Sequence, residues 1–178
     1  MNSRFSRRIV STLPSSRLAN LSLAAAALLT AILAGRGLAV DPPPAPRSTL
    51  VGRATFDEPI NLHRFGDDHW KVDIKAKPAL DIAVQTIEFP PGSQSTWHMH
   101  PGPVFIAVKT GTMTFYEGND PDCEPIVRHA GEGYVDTGDH AHIARNETAE
   151  TAVNVVTYLA PPGAALRIDQ PNPGNCPF

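Results

Sequence analysis

Cysteine is scarce in this sequence, with only Cys123 and Cys176 among 178 residues. Neither cysteine has a ligand-like neighbour, which argues against a metal site built from cysteine and histidine. Both lie in Pro-rich, loop-like sequence, and in an exported protein an even pair favours a disulfide. Such a link would tie the C-terminal tail to the loop around residue 123 and would contribute about 4 kcal/mol to stability. The alternative is two unpaired thiols.

Acidic residues are absent before Asp41, which marks the start of the chain as a targeting segment. An uncharged apolar stretch covers 21–34, and it follows basic residues at Arg4, Arg7, Arg8 and Arg17. This order is typical of a secretory signal, so we predict a signal peptide at 1–39 with its cut near Ala39. Residues 6–10 resemble a twin-arginine export signal. We therefore expect export to the periplasm or the outside, or a membrane anchor if the signal is not cleaved.

Basic residues are fewer than acidic ones once the signal is removed. Five of the fifteen basic residues lie in 1–39, so the mature chain carries ten basic and eighteen acidic residues, a net charge of −8. This balance argues against nucleic acid or an anionic membrane as the partner. The 139 residues that remain are enough for one compact domain with its own core.

A helical repeat of apolar residues is missing from the mature part of the chain. A Pro-rich linker is predicted at 40–52, and 53–178 reads as one β domain in which eighteen prolines and thirteen glycines of the whole chain supply the turns. The pattern predicts an all-β sandwich or closed barrel such as a jelly roll. The predicted strands are 70–74, 82–89, 95–100, 104–109, 113–117, 125–129, 142–145 and 152–160.

Histidines recur at strand spacing in two segments. His98 and His100 are two residues apart, so in a strand they share one face, together with Gln94. His140 and His142 have the same spacing. Two imidazoles on one face can hold part of a metal site, although a single His-x-His pair also occurs on exposed strands.

The segment that contains His98 and His100 resembles the first motif of the cupin family. That motif has a glycine, a His-x-His pair, a glutamate and a second glycine at fixed spacing. Gly92, His98, His100 and Gly111 match it, and Val104 occupies the glutamate position. The carboxylate that usually completes a metal site of three histidines and one glutamate is therefore missing at this position.

The second segment resembles the second cupin motif more loosely. Gly131, His142 and Asn146 match, whereas Asp136 stands where proline is usual and one extra residue separates Gly138 from the histidine. Because the ends of the motif keep their spacing, a shifted turn accounts for the difference. The resemblance implies a single jelly-roll β-barrel over 53–178, and the outer strands of cupins commonly pair to form a homodimer.

The resemblance also implies a divalent transition metal held by His98, His100 and His142. Imidazole suits Fe²⁺ or Zn²⁺, with Mn²⁺, Ni²⁺ and Cu²⁺ as alternatives. Two residues are candidates for a fourth ligand or for a group that orients the ligands, His140 and Gln94, while His140 has the further alternative of a surface loop position. The apolar strand after the first motif is expected to line the pocket through Val104, Ile106 and Val108.

Three functions are consistent with these features. The first is a metal-dependent small-molecule enzyme, an oxidoreductase similar to cupin dioxygenases. The second is an exported module that binds a small molecule without converting it. The third is a structural barrel that has lost its metal. All three stay open because one fold supports many functions.

Overall fold

The computed structural model describes residues 44–66, 70–77 and 79–178, and the signal peptide predicted at 1–39 lies outside them. These residues form β-strands and no helix, as the sequence predicts. The strands are β1 (Arg47–Phe56), β2 (Ile60–Phe65), β3 (Lys71–Ala76), β4 (Leu80–Phe89), β5 (His98–Met99), β6 (Val104–Thr110), β7 (Thr112–Glu117), β8 (Ile126–His129), β9 (Gly133–Asp136), β10 (His142–Arg145), β11 (Ala152–Ala160) and β12 (Ile168–Asp169). Within this part of the chain, no helix is long and apolar enough to cross a membrane.

Two five-stranded sheets make up the barrel. The first sheet has the order β1-β4-β11-β6-β9 and the second has the order β12-β5-β10-β7-β8, while β2 and β3 form a separate hairpin. The strand pairs of the described residues are antiparallel. Strands that follow each other along the chain change sheet repeatedly, which is the wiring of a jelly roll. The all-β jelly-roll fold predicted from the sequence is confirmed.

The core lies between the two sheets, where one face of each sheet is buried. Strand β11 shows this most clearly, since every second residue from Ala152 to Ala160 is buried. The first sheet contributes Val104, Val108 and Val156 to the core, and the second sheet contributes Met113 and Phe115. These contacts fix the inner faces of both sheets, so the position of each strand residue decides whether it points into the barrel.

A smaller apolar cluster covers the other face of the second sheet. It contains Trp97, Ile143 and Cys176, with Cys123 packed against it. Cys123 and Cys176 form a disulfide with Cα atoms 5.3 Å apart, the pairing that the sequence predicts. The link fastens the C-terminal tail over the strands that carry the histidines.

The Pro-rich linker predicted at 40–52 is wrong over its second half. Residues 47–52 belong to β1, which pairs with β4 along its whole length. The sequence did not reveal this strand because β1 buries neither of its faces. Its residues therefore show no regular alternation of apolar and polar side chains. The chain has no proline from Arg47 to Phe56, and the backbone N–H groups needed for pairing are therefore present. The barrel begins at residue 47 and not at 53.

Candidate metal centre

The inner face of the second sheet brings three histidines together. His98 in β5 lies directly opposite His142 in β10, and His100 follows two residues after His98 on the same side. All three side chains are buried. The expectation that these residues from two distant segments meet in the barrel is therefore met.

The three Nε2 atoms point at a common centre. Nε2 of His142 lies 3.1 Å from Nε2 of His98 and 3.2 Å from Nε2 of His100. For nitrogen ligands bound to zinc at its usual distance, tetrahedral geometry places neighbouring nitrogens about 3.3 Å apart. Among the described residues, these three histidines form the group whose ligand atoms lie within 4.8 Å of one another. Their spacing fits one transition-metal ion.

Backbone carbonyl groups hold two of the rings in the orientation that a metal needs. Nδ1 of His98 donates to the carbonyl oxygen of Thr96 at 2.9 Å, and Nδ1 of His100 donates to that of Leu166 at 2.5 Å. A neutral imidazole that carries its proton on Nδ1 has a free lone pair on Nε2. Both Nε2 atoms are therefore available as ligands.

The ring of His142 has a different partner, a residue that was not predicted to belong to the site. Its Nδ1 makes no hydrogen bond with the described residues and lies 3.4 Å from Oδ2 of Asp136. The same carboxylate oxygen, which is buried and also without a hydrogen bond, lies 3.5 Å from Nε2 of His100. The other oxygen, Oδ1, accepts the backbone N–H of Gly138 at 2.8 Å. Asp136 thus supplies a buried carboxylate beside the histidines.

The position of Asp136 explains how an acid returns to a site that lacks the usual glutamate. Asp136 in β9 lies directly opposite Val104 in β6, so both side chains point to the same face. The substitution of proline by aspartate in the second motif was the available signal. It could not be interpreted from the sequence because the register that joins β6 to β9 depends on the tertiary fold.

Burial controls the protonation of this cluster. It lowers the pKa of His98 to about 3 and that of His142 to about 2. Burial also lowers the pKa of His100, and it raises the pKa of Asp136. The three imidazoles are therefore neutral near pH 7, which is the form that binds a metal.

A cavity of about 500 Å³ opens beside the three histidines. Ile106 lines it, as predicted, whereas Val104 and Val108 are buried in the core between the sheets and do not line it. The prediction that all three residues form the pocket wall is therefore wrong for two of them. Their side chains point inward, but neighbouring strands and the second sheet already cover them.

The structure does not support either candidate for a fourth ligand. His140 lies outside the three-histidine group, because its ring contacts Glu117 Oε2 at 2.5 Å and Asp139 Oδ1 at 2.6 Å. Burial alone would lower the pKa of His140, but the two carboxylates outweigh it and raise that pKa. Of the roles considered for His140, a histidine in a surface loop agrees best with this partly buried position.

Gln94 is exposed, and its backbone forms an isolated bridge with Arg145. The prediction that Gln94 shares the histidine face is wrong because the strand does not extend that far. Strand β5 begins at His98, and Thr96 has a positive φ of 61°, which interrupts the alternation of an extended chain.

Comparisons with known proteins agree with this architecture. The cupin domain family matches residues 85–158, which include all three histidines. No curated protein shows significant similarity to the chain. One similar solved structure is a conserved protein with a double-stranded β-helix domain from Klebsiella pneumoniae, at 20% identity and a TM-score of 0.43, covering 64% of this chain and 86% of that one.

Two further solved structures are similar in the same range. A cupin superfamily protein from Desulfitobacterium hafniense has 9% identity and a TM-score of 0.39, with 58% of this chain and 79% of that one covered. A DMSP lyase from Ruegeria pomeroyi has 16% identity and a TM-score of 0.44, with 52% of this chain and 45% of that one covered. The family match, the jelly-roll wiring and the histidines shared between the two motifs lead to one conclusion: residues 85–158 of this chain form a cupin domain.

Proposed function

We propose that the protein binds one divalent transition metal through Nε2 of His98, His100 and His142 and acts on a small molecule in the adjacent cavity. The observation that carries this proposal is the convergence of the three Nε2 atoms, 3.1 and 3.2 Å apart across the two measured edges. Fe²⁺ and Zn²⁺ are the expected ions, with Mn²⁺, Ni²⁺ and Cu²⁺ as alternatives. When bound, the ion would act as a Lewis acid toward a substrate oxygen or, if it is iron, would supply redox chemistry.

The protein's own groups prepare the site for that ion. Carbonyl oxygens of Thr96 and Leu166 keep the protons of His98 and His100 on Nδ1. Asp136 would do the same for His142 if its Oδ2 moved closer by a few tenths of an ångström, since a good hydrogen bond needs about 3.2 Å or less. With three neutral histidines as ligands, the ion would keep open positions for a substrate.

The cavity walls would exclude most water from the reacting groups. Apolar side chains form much of the lining, among them Ile87, Phe89, Phe115 and Leu166. In such a dry site, electrostatic interactions are stronger than in water. A metal-dependent oxidoreductase that acts on a small molecule is the reaction class that this environment favours, and a homodimer and export to the periplasm or the outside are further parts of the proposal.

Elemental analysis of untagged protein is the direct test. We expect about one equivalent of a transition metal per chain in the wild type and loss of that metal in His98→Ala. His129→Ala is the matched control, because His129 is exposed and its ring contacts Thr112 outside the cavity. Equal metal content in the wild type and His98→Ala would contradict the proposal.

A non-catalytic binding module is the second candidate function, and one observation favours it. No carboxylate lines the cavity in the described part of the chain, so no acidic general base faces a ligand there. Tyr158 does face it, but burial raises the pKa of this phenol to about 12, so it stays protonated near pH 7. A bound ligand recovered unchanged after long incubation with metal-loaded protein and oxygen would select the binding module, and turnover would select the enzyme.

A further inference from the structure

The formal charge on the cavity wall is positive. Arg167 carries the single formal charge among the described residues that line the cavity, and the other polar side chains there are neutral. Its Nε donates to Asp169 at 2.6 Å and its Nη2 to Thr96 Oγ1 at 2.7 Å, which holds the guanidinium beside the strand of His98. The Asp169 side chain is 80% exposed and that of Arg167 is 38% exposed, so water screens the carboxylate more than the guanidinium. A ligand entering this cavity meets a fixed positive group at the histidine end.

Two polar residues of the first sheet, Tyr158 and Asn154, lie at different levels of the barrel, and Gln85, opposite Val156, lies between them. At one level, Tyr158 pairs with Val104, and its ring centre lies 5.4 Å from that of His100. At the other level, Asn154 pairs with Ile87. Four residues of extended chain separate the two levels, a distance of about 13 Å.

Apart from His142, Asn154 is the residue lining the cavity in the described part of the chain that has a buried polar atom without a hydrogen bond. Its side chain is 2% exposed, it lines the cavity, and its Oδ1 accepts no hydrogen bond from any described residue. A buried acceptor without a donor costs stability unless a ligand or water supplies the missing hydrogen bond. Between it and the histidines, Val156 and Ile106 line the cavity with apolar surface, and Gln85 contributes an amide whose Oε1 already accepts the Tyr158 hydroxyl at 3.2 Å.

We propose that the cavity binds a monocarboxylate with an apolar chain, its carboxylate at Arg167 and the histidine centre, and a hydroxyl or amine at its far end donating to Asn154 Oδ1. The inference rests on the proposed function for the metal's share of carboxylate binding, whereas the Arg167 and Asn154 contacts do not need a metal. A cavity of about 500 Å³ is large enough for a chain of this kind.

Three probes of equal chain length separate the parts of the proposal. Octanoate carries the charge, octanamide is its neutral counterpart, and 8-hydroxyoctanoate adds the far-end donor. Calorimetric titration of the wild type, metal-free and zinc-loaded, is expected to show octanoate binding at least about tenfold tighter than octanamide, as a charge-assisted hydrogen bond provides. The hydroxyl should add a further gain of about two- to tenfold.

Two variants locate these effects. Arg167→Gln should remove the preference for octanoate over octanamide in metal-free protein. The control Arg128→Gln removes an equal charge from β8, outside the cavity, and should retain the preference for octanoate. Asn154→Leu should remove the gain from the hydroxyl, while Thr157→Val on the outer face of the same strand should not. Because Asn154→Leu could fail to fold, Asn154→Ala is tested beside it, and the three-probe comparison on the wild type needs no variant.

The outcomes distinguish this inference from the proposed metal site. Equal affinities for octanoate and octanamide on zinc-loaded protein would overturn the inference and leave the metal site standing. No zinc uptake together with a retained preference for octanoate would overturn the metal site and support the carboxylate position. Equal affinities for octanoate and 8-hydroxyoctanoate would overturn the assignment of Asn154.

Discussion

Replacement of Asp136 tests whether this carboxylate positions the metal-binding ring of His142. Oδ2 of Asp136 lies 3.4 Å from Nδ1 of His142, and neither atom has a hydrogen bond with the described residues. In Asp136→Asn, the amide N–H₂ can occupy the same place and would favour the His142 tautomer with its proton on Nε2. That tautomer has no lone pair directed at the other two histidines.

Loss of a partner that orients a metal-bound histidine typically lowers metal affinity about 10- to 100-fold. We expect this range for zinc with Asp136→Asn and with Asp136→Ala. The stability of the metal-free protein should respond differently, because a buried carboxylate with an unpartnered oxygen is not a stabilising element. We therefore expect the metal-free Asn variant to unfold at the same temperature as the wild type or higher.

The assay is competition with a chromophoric zinc chelator near pH 7.5, combined with nitrogen NMR of the imidazole rings in metal-free protein. Glu117→Gln is the matched control, because Glu117 bonds to His140 and Tyr134 and not to the three histidines. Zinc affinity equal to that of the wild type in both Asp136 variants, together with an unchanged His142 tautomer, would refute the positioning role.

Three further predictions concern the stability of the barrel. Replacement of both Cys123 and Cys176 by serine should lower the free energy of unfolding by about 2–4 kcal/mol, as measured by urea denaturation, because a closed loop of this length restricts the unfolded chain; an unchanged midpoint would contradict this. The hydrogen bond from the Thr55 hydroxyl, followed by the backbone N–H of Gly163, lowers the pKa of Asp81. A lowered pKa adds stability above the carboxyl's unfolded value, so the stability difference between the wild type and Asp81→Asn should shrink as the pH falls from 6 through 4 toward 3, and a constant difference across thermal melts would refute the link. Gly138→Ala should destabilise more than Gly163→Ala in the same melts, because both glycines have positive φ but only at Gly138 would the new Cβ lie 2.4 Å from a backbone oxygen.

Most of the barrel could be predicted from sequence because its strands are short runs of branched and aromatic residues separated by Gly, Pro, Asn and Asp. Strands β4, β6, β7, β10 and β11 follow the predicted segments closely, since each places apolar residues on the inner face. Strand β1 was missed because it is exposed throughout, and β9 was missed because its four residues, which begin with Gly133, give too short a pattern. Register along these strands was beyond the sequence, since each pairing joins distant segments.

The histidine spacing by itself determined that His98 and His100 share a face, because a strand repeats every two residues. That His142 joins them was implied by the resemblance to the two cupin motifs and not by local geometry. The tertiary structure alone decided which acid joins them, since only the antiparallel register of β6 and β9 places Asp136 beside the position of the absent glutamate. It also decided that His140 and Gln94 stay apart from the centre, because a turn and a left-handed residue interrupt the alternation on which a one-dimensional pattern depends.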